Sequence, residues 1–148
     1  MVIDSMHEML RRNIDVRLIT VYPEKPDVTF AGELRVSPER WLMVPFRRVF
    51  DAVAMFRLVV TLIRIKPHTV ITHLWLANTV GRVAALIARV PNIFTFEHNV
   101  YDSIKSPRHF FVDRVLATFT NRILAPSLAI KKSVEQHGIN PKKVLVMH

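Results

Sequence analysis

The chain has 148 residues, half of them hydrophobic, and a formal net charge of +9. That length fits one domain with a sizeable core. The absence of cysteine excludes a disulfide framework and thiolate chemistry, and the positive balance suits phosphate-bearing partners: nucleic acid, anionic lipid or a nucleotide sugar. A plain solvated basic face is the competing account.

Residues Val2 to Arg12 predict a helix with Ile3, Met6 and Leu10 on one face. Asn13 suits a left-handed cap after it. Asp15 to Val21 predicts a strand, its firmest part Val16–Val21. Tyr22 to Pro45 carries four prolines and reads as irregular, with a short extended piece at Leu34 to Val36. Phe46 to Ile65 predicts one long helix ended by Pro67. Its arginines interrupt any membrane-spanning run. Its mixture of arginine and aromatic residues fits either a helix lying on an anionic membrane or a core helix with arginines reaching to water.

Thr69 to Thr72 predicts a strand. Leu76 to Arg89 predicts a helix with Leu76, Val80, Val83, Ala84 and Ile87 inward and Asn78, Arg82, Ala85 and Arg89 outward. Ala77, Gly81, Ala84 and Ala88 form a small-residue stripe that would let the helix lie close on a sheet. Asn92 to Phe96 predicts a strand. Ser106-Pro107 starts a helix whose apolar face is Phe111, Val112, Val115, Leu116 and Phe119. Arg122 to Ala125 is a strand, Ser127 caps a helix that stops at Gly138, and Val144 to Met147 is the last strand. Short apolar strands alternating with helices predict an α/β fold, a parallel sheet covered on both faces.

In such a sheet, ligands bind at the carboxyl ends of the strands. Tyr22, His73, Glu97, His98, Asn99 and Ser127 fall there. Singly, each has a structural explanation: hydrogen-bonded histidines, a helix cap, a glutamate paired with arginine. Their shared edge is the argument for a site. With glycine only at positions 32, 81 and 138, no glycine-rich phosphate loop is present. His7-Glu8 lacks the second histidine of a zinc-protease helix, and His68 with His73 makes no convincing metal pair. No serine elbow and no nucleic-acid motif is found. Strand-end His and Asn also argue against a receiver domain, which needs an acidic cluster.

The runs ITHLWLANTVGRVAA (71–85), VPNIFTFEHN (90–99), ILAPSLAIKKSV (123–134) and KVLVMH (143–148) resemble the N-terminal domain of family 4 retaining glycosyltransferases. The resemblance covers nearly the whole chain and is weakest over Tyr22 to Pro45. It implies a Rossmann-like half of a GT-B architecture and sugar transfer with retention from a nucleotide-sugar donor to a lipid-linked or polysaccharide acceptor. No cofactor or metal is expected from the motifs. His98 matches the family histidine near the transferred sugar and leaving phosphate. His73, Asn78, Glu97, Asn99 and Ser127 are placed with it as substrate-binding residues. The family's C-terminal domain supplies most nucleotide contacts. Against that pattern the first strand and its loop are missing, so the chain looks like a fragment, residues 1–148 forming a partial domain inactive by itself. A cytoplasmic enzyme, peripheral on the inner membrane face, is the expected setting. A non-catalytic basic module docking on anionic membrane or on a partner protein is the alternative.

Overall fold

The computed structural model describes residues 2–21, 37–98 and 106–147. The chain divides into two compact units, Met1–Ala54 and Met55–His148. Tyr22, the Leu34 to Val36 piece and Asn99 lie outside the described residues.

In the first unit, helix α1 (Val2–Arg11) buries Met6. It ends at Asn13, whose φ of 58° is the left-handed cap expected of asparagine. Strand β1 (Leu18–Thr20) is shorter than expected and pairs in parallel with β2 (Trp41–Met43). Nothing in the irregular stretch announces β2. It follows one turn of 3-10 helix (Pro38–Arg40), and Arg40 is held by Asp15 at 2.5 Å. Pairing continues past the strands: the amides of Val44 and Phe46 donate to the carbonyls of Thr20 and Val21. Phe46 thus lies outside any helix and is fully buried.

The long helix expected from Phe46 is therefore corrected. Helix α2 spans Ala52–Ile65. Asp51 accepts from the amides of Ala54 (3.0 Å) and Arg47 (3.3 Å), so its carboxylate starts the helix and turns the chain before it. Lys66, at φ 50°, ends it ahead of Pro67.

The second unit holds a four-stranded parallel sheet in the order β3-β4-β5-β6. These strands are β3 (Thr69–His73), β4 (Asn92–Phe96), β5 (Arg122–Ala125) and β6 (Val144–Val146). Helices α3 (Trp75–Ile87), α4 (Pro107–Phe119) and α5 (Leu128–Gln136) connect them. Ala117, Ile123, Ala125, Ile130 and Val144 form a core cluster. A Cβ added at Gly81 would meet Thr72 Cγ2 at 2.8 Å. This glycine lets α3 sit on β3, as the small-residue stripe implies. Gly138, at φ 83°, ends the turn after α5.

Two inward faces differ from expectation. On α3, Asn78, Arg82 and Ala85 are buried while Ile87 is 56% exposed. On α4, Phe111, Val112, Val115 and Phe119 are exposed, and of the expected stripe only Leu116 is buried. The buried row is Asp113, Leu116, Ala117 and Thr120, equally helical in spacing. One contact explains both: Arg82 donates to Asp113 at 2.6 Å across α3 and α4, with both side chains buried. A charge taken out of water demands its partner, and this pair sets the rotation of each helix.

Candidate functional site

The carboxyl ends of β3 and β4 lie side by side because His73 pairs in register with Phe96. The next residue, Glu97, donates its amide to the carbonyl of Leu124 at 2.9 Å, which keeps the chain beside β5 for one more residue. His98 follows. His73 Nδ1 lies 3.1 Å from His98 Nε2. The Phe96 ring stacks on both imidazoles, with centroids 4.7 Å from His98 and 5.4 Å from His73. Burial lowers the pKa of His98. Burial, and then the neighbouring His98, pushes His73 down to about 4. Both rings are thus neutral near pH 7, able to donate one hydrogen bond and accept another.

Asn78 anchors this edge from below. It is fully buried, and its Nδ2 donates to the Phe96 carbonyl (3.1 Å) and to Glu97 Oε1 (3.2 Å). Arg82 donates in turn to the Asn78 carbonyl. A polar chain therefore runs from Glu97 through Asn78 and Arg82 to Asp113. Asn78 acts on the edge by fixing the exit of β4.

The β3–α3 junction is strained. Leu74 sits at φ 69°, ψ 157°, a region that glycine alone adopts easily, at a cost of about 1–3 kcal/mol. Its carbonyl accepts the Asn78 amide at 2.7 Å, which ties this backbone to the first turn of α3.

Of the residues expected at the edge, His73 and His98 are brought together, while Glu97 is buried and joined to Asn78 instead. Ser127 stands at the end of β5, where its Oγ accepts the Ile130 amide at 3.3 Å and caps α5. Sequence reasoning missed Phe96 and Leu74. The register of two apolar strands ending alike was the available signal for Phe96; nothing marks a leucine for positive φ. Among the described residues no group of three or more His, Asp or Glu is placed to hold a metal.

The sequence model of Glycosyltransferase Family 4 matches residues 1–148. No curated protein sequence matches. Solved structures similar to this chain include HepE of Anabaena. HepE in complex with UDP and glucose is 17% identical, with a TM-score of 0.66 over 82% of this chain and 33% of HepE. HepE with UDP-glucose is also 17% identical, with a TM-score of 0.64 over 90% of this chain and 43% of HepE. The likeness shows the fold, a Rossmann-like half of the GT-B kind. This chain spans less than half the length of the HepE chains it matches.

Proposed function

Because the chain belongs to glycosyltransferase family 4, we propose that it is the acceptor-side half of a retaining transferase, moving a sugar from a nucleotide-sugar donor to a lipid-linked or glycan acceptor. HepE is described in complex with UDP and with UDP-glucose, which supports a nucleotide sugar as the donor class. The observation that carries the reading is the neutral His73–His98 pair at the carboxyl edge. When the sugar–phosphate bond breaks, charge grows on the departing nucleoside diphosphate. A preorganised, partly dry imidazole N–H of His98 stabilises that charge better than water does. Glu97 and Asn99, on either side of His98 in the chain, are the groups proposed for the sugar hydroxyls.

The test uses the complete enzyme. His98→Ala lowers turnover on the order of 100-fold and leaves thermal stability nearly unchanged. Asn92→Ala, at the opposite end of the same strand, changes turnover little. Turnover of His98→Ala within about threefold of the parent, less than about 1 kcal/mol of transition-state stabilisation, overturns the reading.

The exposed face of α2 favours a second role for the same protein, docking on the cytoplasmic face of an anionic membrane. Val53, Phe56 and Ile63 are exposed there beside Arg57 and Arg64. As a non-catalytic membrane module the protein would keep this binding without His98.

A further inference from the structure

The contact between the two histidines restricts how protons are shared at the edge. A neutral imidazole has one N–H and one lone pair. At 3.1 Å, His73 Nδ1 and His98 Nε2 are at hydrogen-bonding distance. Two lone pairs facing each other there repel, and two N–H groups collide. One proton therefore lies between the rings, and the outer nitrogens, His73 Nε2 and His98 Nδ1, carry one N–H and one lone pair between them. The tautomers of the two residues are locked together. Phe96, stacked on both rings, and the His73–Phe96 register hold the pair in place.

We propose that His73 is a positioning residue that fixes the tautomer of His98. With His73 Nδ1–H donating to His98 Nε2, His98 presents Nδ1–H outward as a donor. His73 Nε2 then presents a lone pair. The edge offers a donor suited to a phosphate or sugar oxygen and an acceptor suited to a hydroxyl. An oxygen that accepts from His98 Nδ1–H selects this arrangement in both rings at once. The competing account makes His73 a packed strand-end ring, for which Phe96 stacking is the whole purpose.

The functional consequence rests on the role proposed above for His98; the tautomer does not. The experiment measures both. In protein labelled with nitrogen-15 at histidine, two-bond proton–nitrogen correlation spectra report the protonated nitrogen of each ring. With inorganic phosphate supplying the accepting oxygen, the parent shows a single His98 tautomer, protonated at Nδ1, and scalar coupling between the facing nitrogens. His73→Phe keeps the stacking, loses the coupling and turns His98 into a tautomer mixture. His73→Asn, whose amide N–H replaces the Nδ1–H, restores the single tautomer and checks that the edge still folds. In the complete enzyme, His73→Phe lowers kcat on the order of tenfold to 100-fold with KM nearly unchanged, and His73→Asn recovers part of it. An unchanged His98 tautomer in His73→Phe overturns the inference whatever turnover does. A shifted tautomer with unchanged turnover overturns the catalytic role of His98 and upholds the positioning contact.

Discussion

The neutral state of His73 makes stability depend on pH in a defined direction. The folded pKa is about 4 against an ordinary 6.5, lowered first by burial and then by His98. Between those values the unfolded chain binds the proton and the folded one does not. Stability is therefore fully present above about pH 6.5 and falls as pH drops toward 4. His98, lowered by its own burial, acts in the same direction. Asp51 belongs to a more acid window: backbone amides of Ala54 and Arg47 hold its carboxyl below 3.8, so its contribution disappears only on further acidification. Urea midpoints measured between pH 7 and pH 4.5 should fall for the parent and fall less for His73→Phe; equal slopes would contradict the assignment. Residues such as His73, Glu97 and His98 were legible in the sequence because each is a polar group at the end of an apolar run. Asn78 was not. Asn78, Arg82 and Ala85 are spaced as helically as the apolar stripe of the same helix, and what turns them inward is the Phe96 carbonyl, Glu97 and Asp113, none of which is local in sequence.

At the level of elements, helix ends were far more legible than helix faces. Asn13, Ser106-Pro107, Ser127 and Gly138 each mark a boundary through chemistry contained within a turn. The start of α2 escaped because the apolar run from Phe46 continues into the helix, whereas Asp51 decides where the helix begins. Strand β2 escaped because its three residues are defined only by pairing with β1. The face of α4 escaped because apolarity pointed to Phe111 and Phe119 while a buried ion pair pointed the other way. That pair yields a test. Asp113→Ala strands the Arg82 guanidinium in the interior and should cost about 3–5 kcal/mol, whereas replacing both residues, Arg82→Met with Asp113→Leu, should recover most of the loss. Denaturant titration of the single and double variants measures it. A double variant as unstable as Asp113→Ala would show that the stranded guanidinium is not the source of the loss. The last turn of α4 has separate support, since Lys143 Nζ donates to the carbonyls of Ala117 (2.7 Å), Thr118 (2.6 Å) and Thr120 (3.0 Å). This places a cation where the helix dipole favours one.

For the whole molecule, charge and exposed apolar surface bear on the same question. The chain carries a net +9, and no helix among the described residues is long and apolar enough to cross a membrane. The docking proposed for α2 would combine apolar insertion with attraction to anionic headgroups. Helix α2 offers both along one side. Phe56 is 69% exposed and Val53 63%, with Ile63 two turns further on. Arg57 and Arg64, one heptad apart, flank them, and the helix has no acidic residue. Leu58 and Leu62 on the opposite side are buried, so the exposed stripe is not the face that holds the fold together. The expected result is binding to vesicles of phosphatidylglycerol in phosphatidylcholine and little binding to phosphatidylcholine alone. Raising salt from about 0.1 M to 1 M shortens the screening length from about 10 Å to 3 Å and should release most of the bound protein. Phe56→Ser should weaken binding at both salt concentrations, because it removes the apolar part. Arg57→Glu with Arg64→Glu should weaken it mainly at low salt, because screening has already removed the electrostatic part at high salt. His98→Ala should bind vesicles like the parent, which separates docking from chemistry. Equal binding to neutral and anionic vesicles, or binding indifferent to the two arginines, would mean that α2 does not dock the protein on anionic lipid.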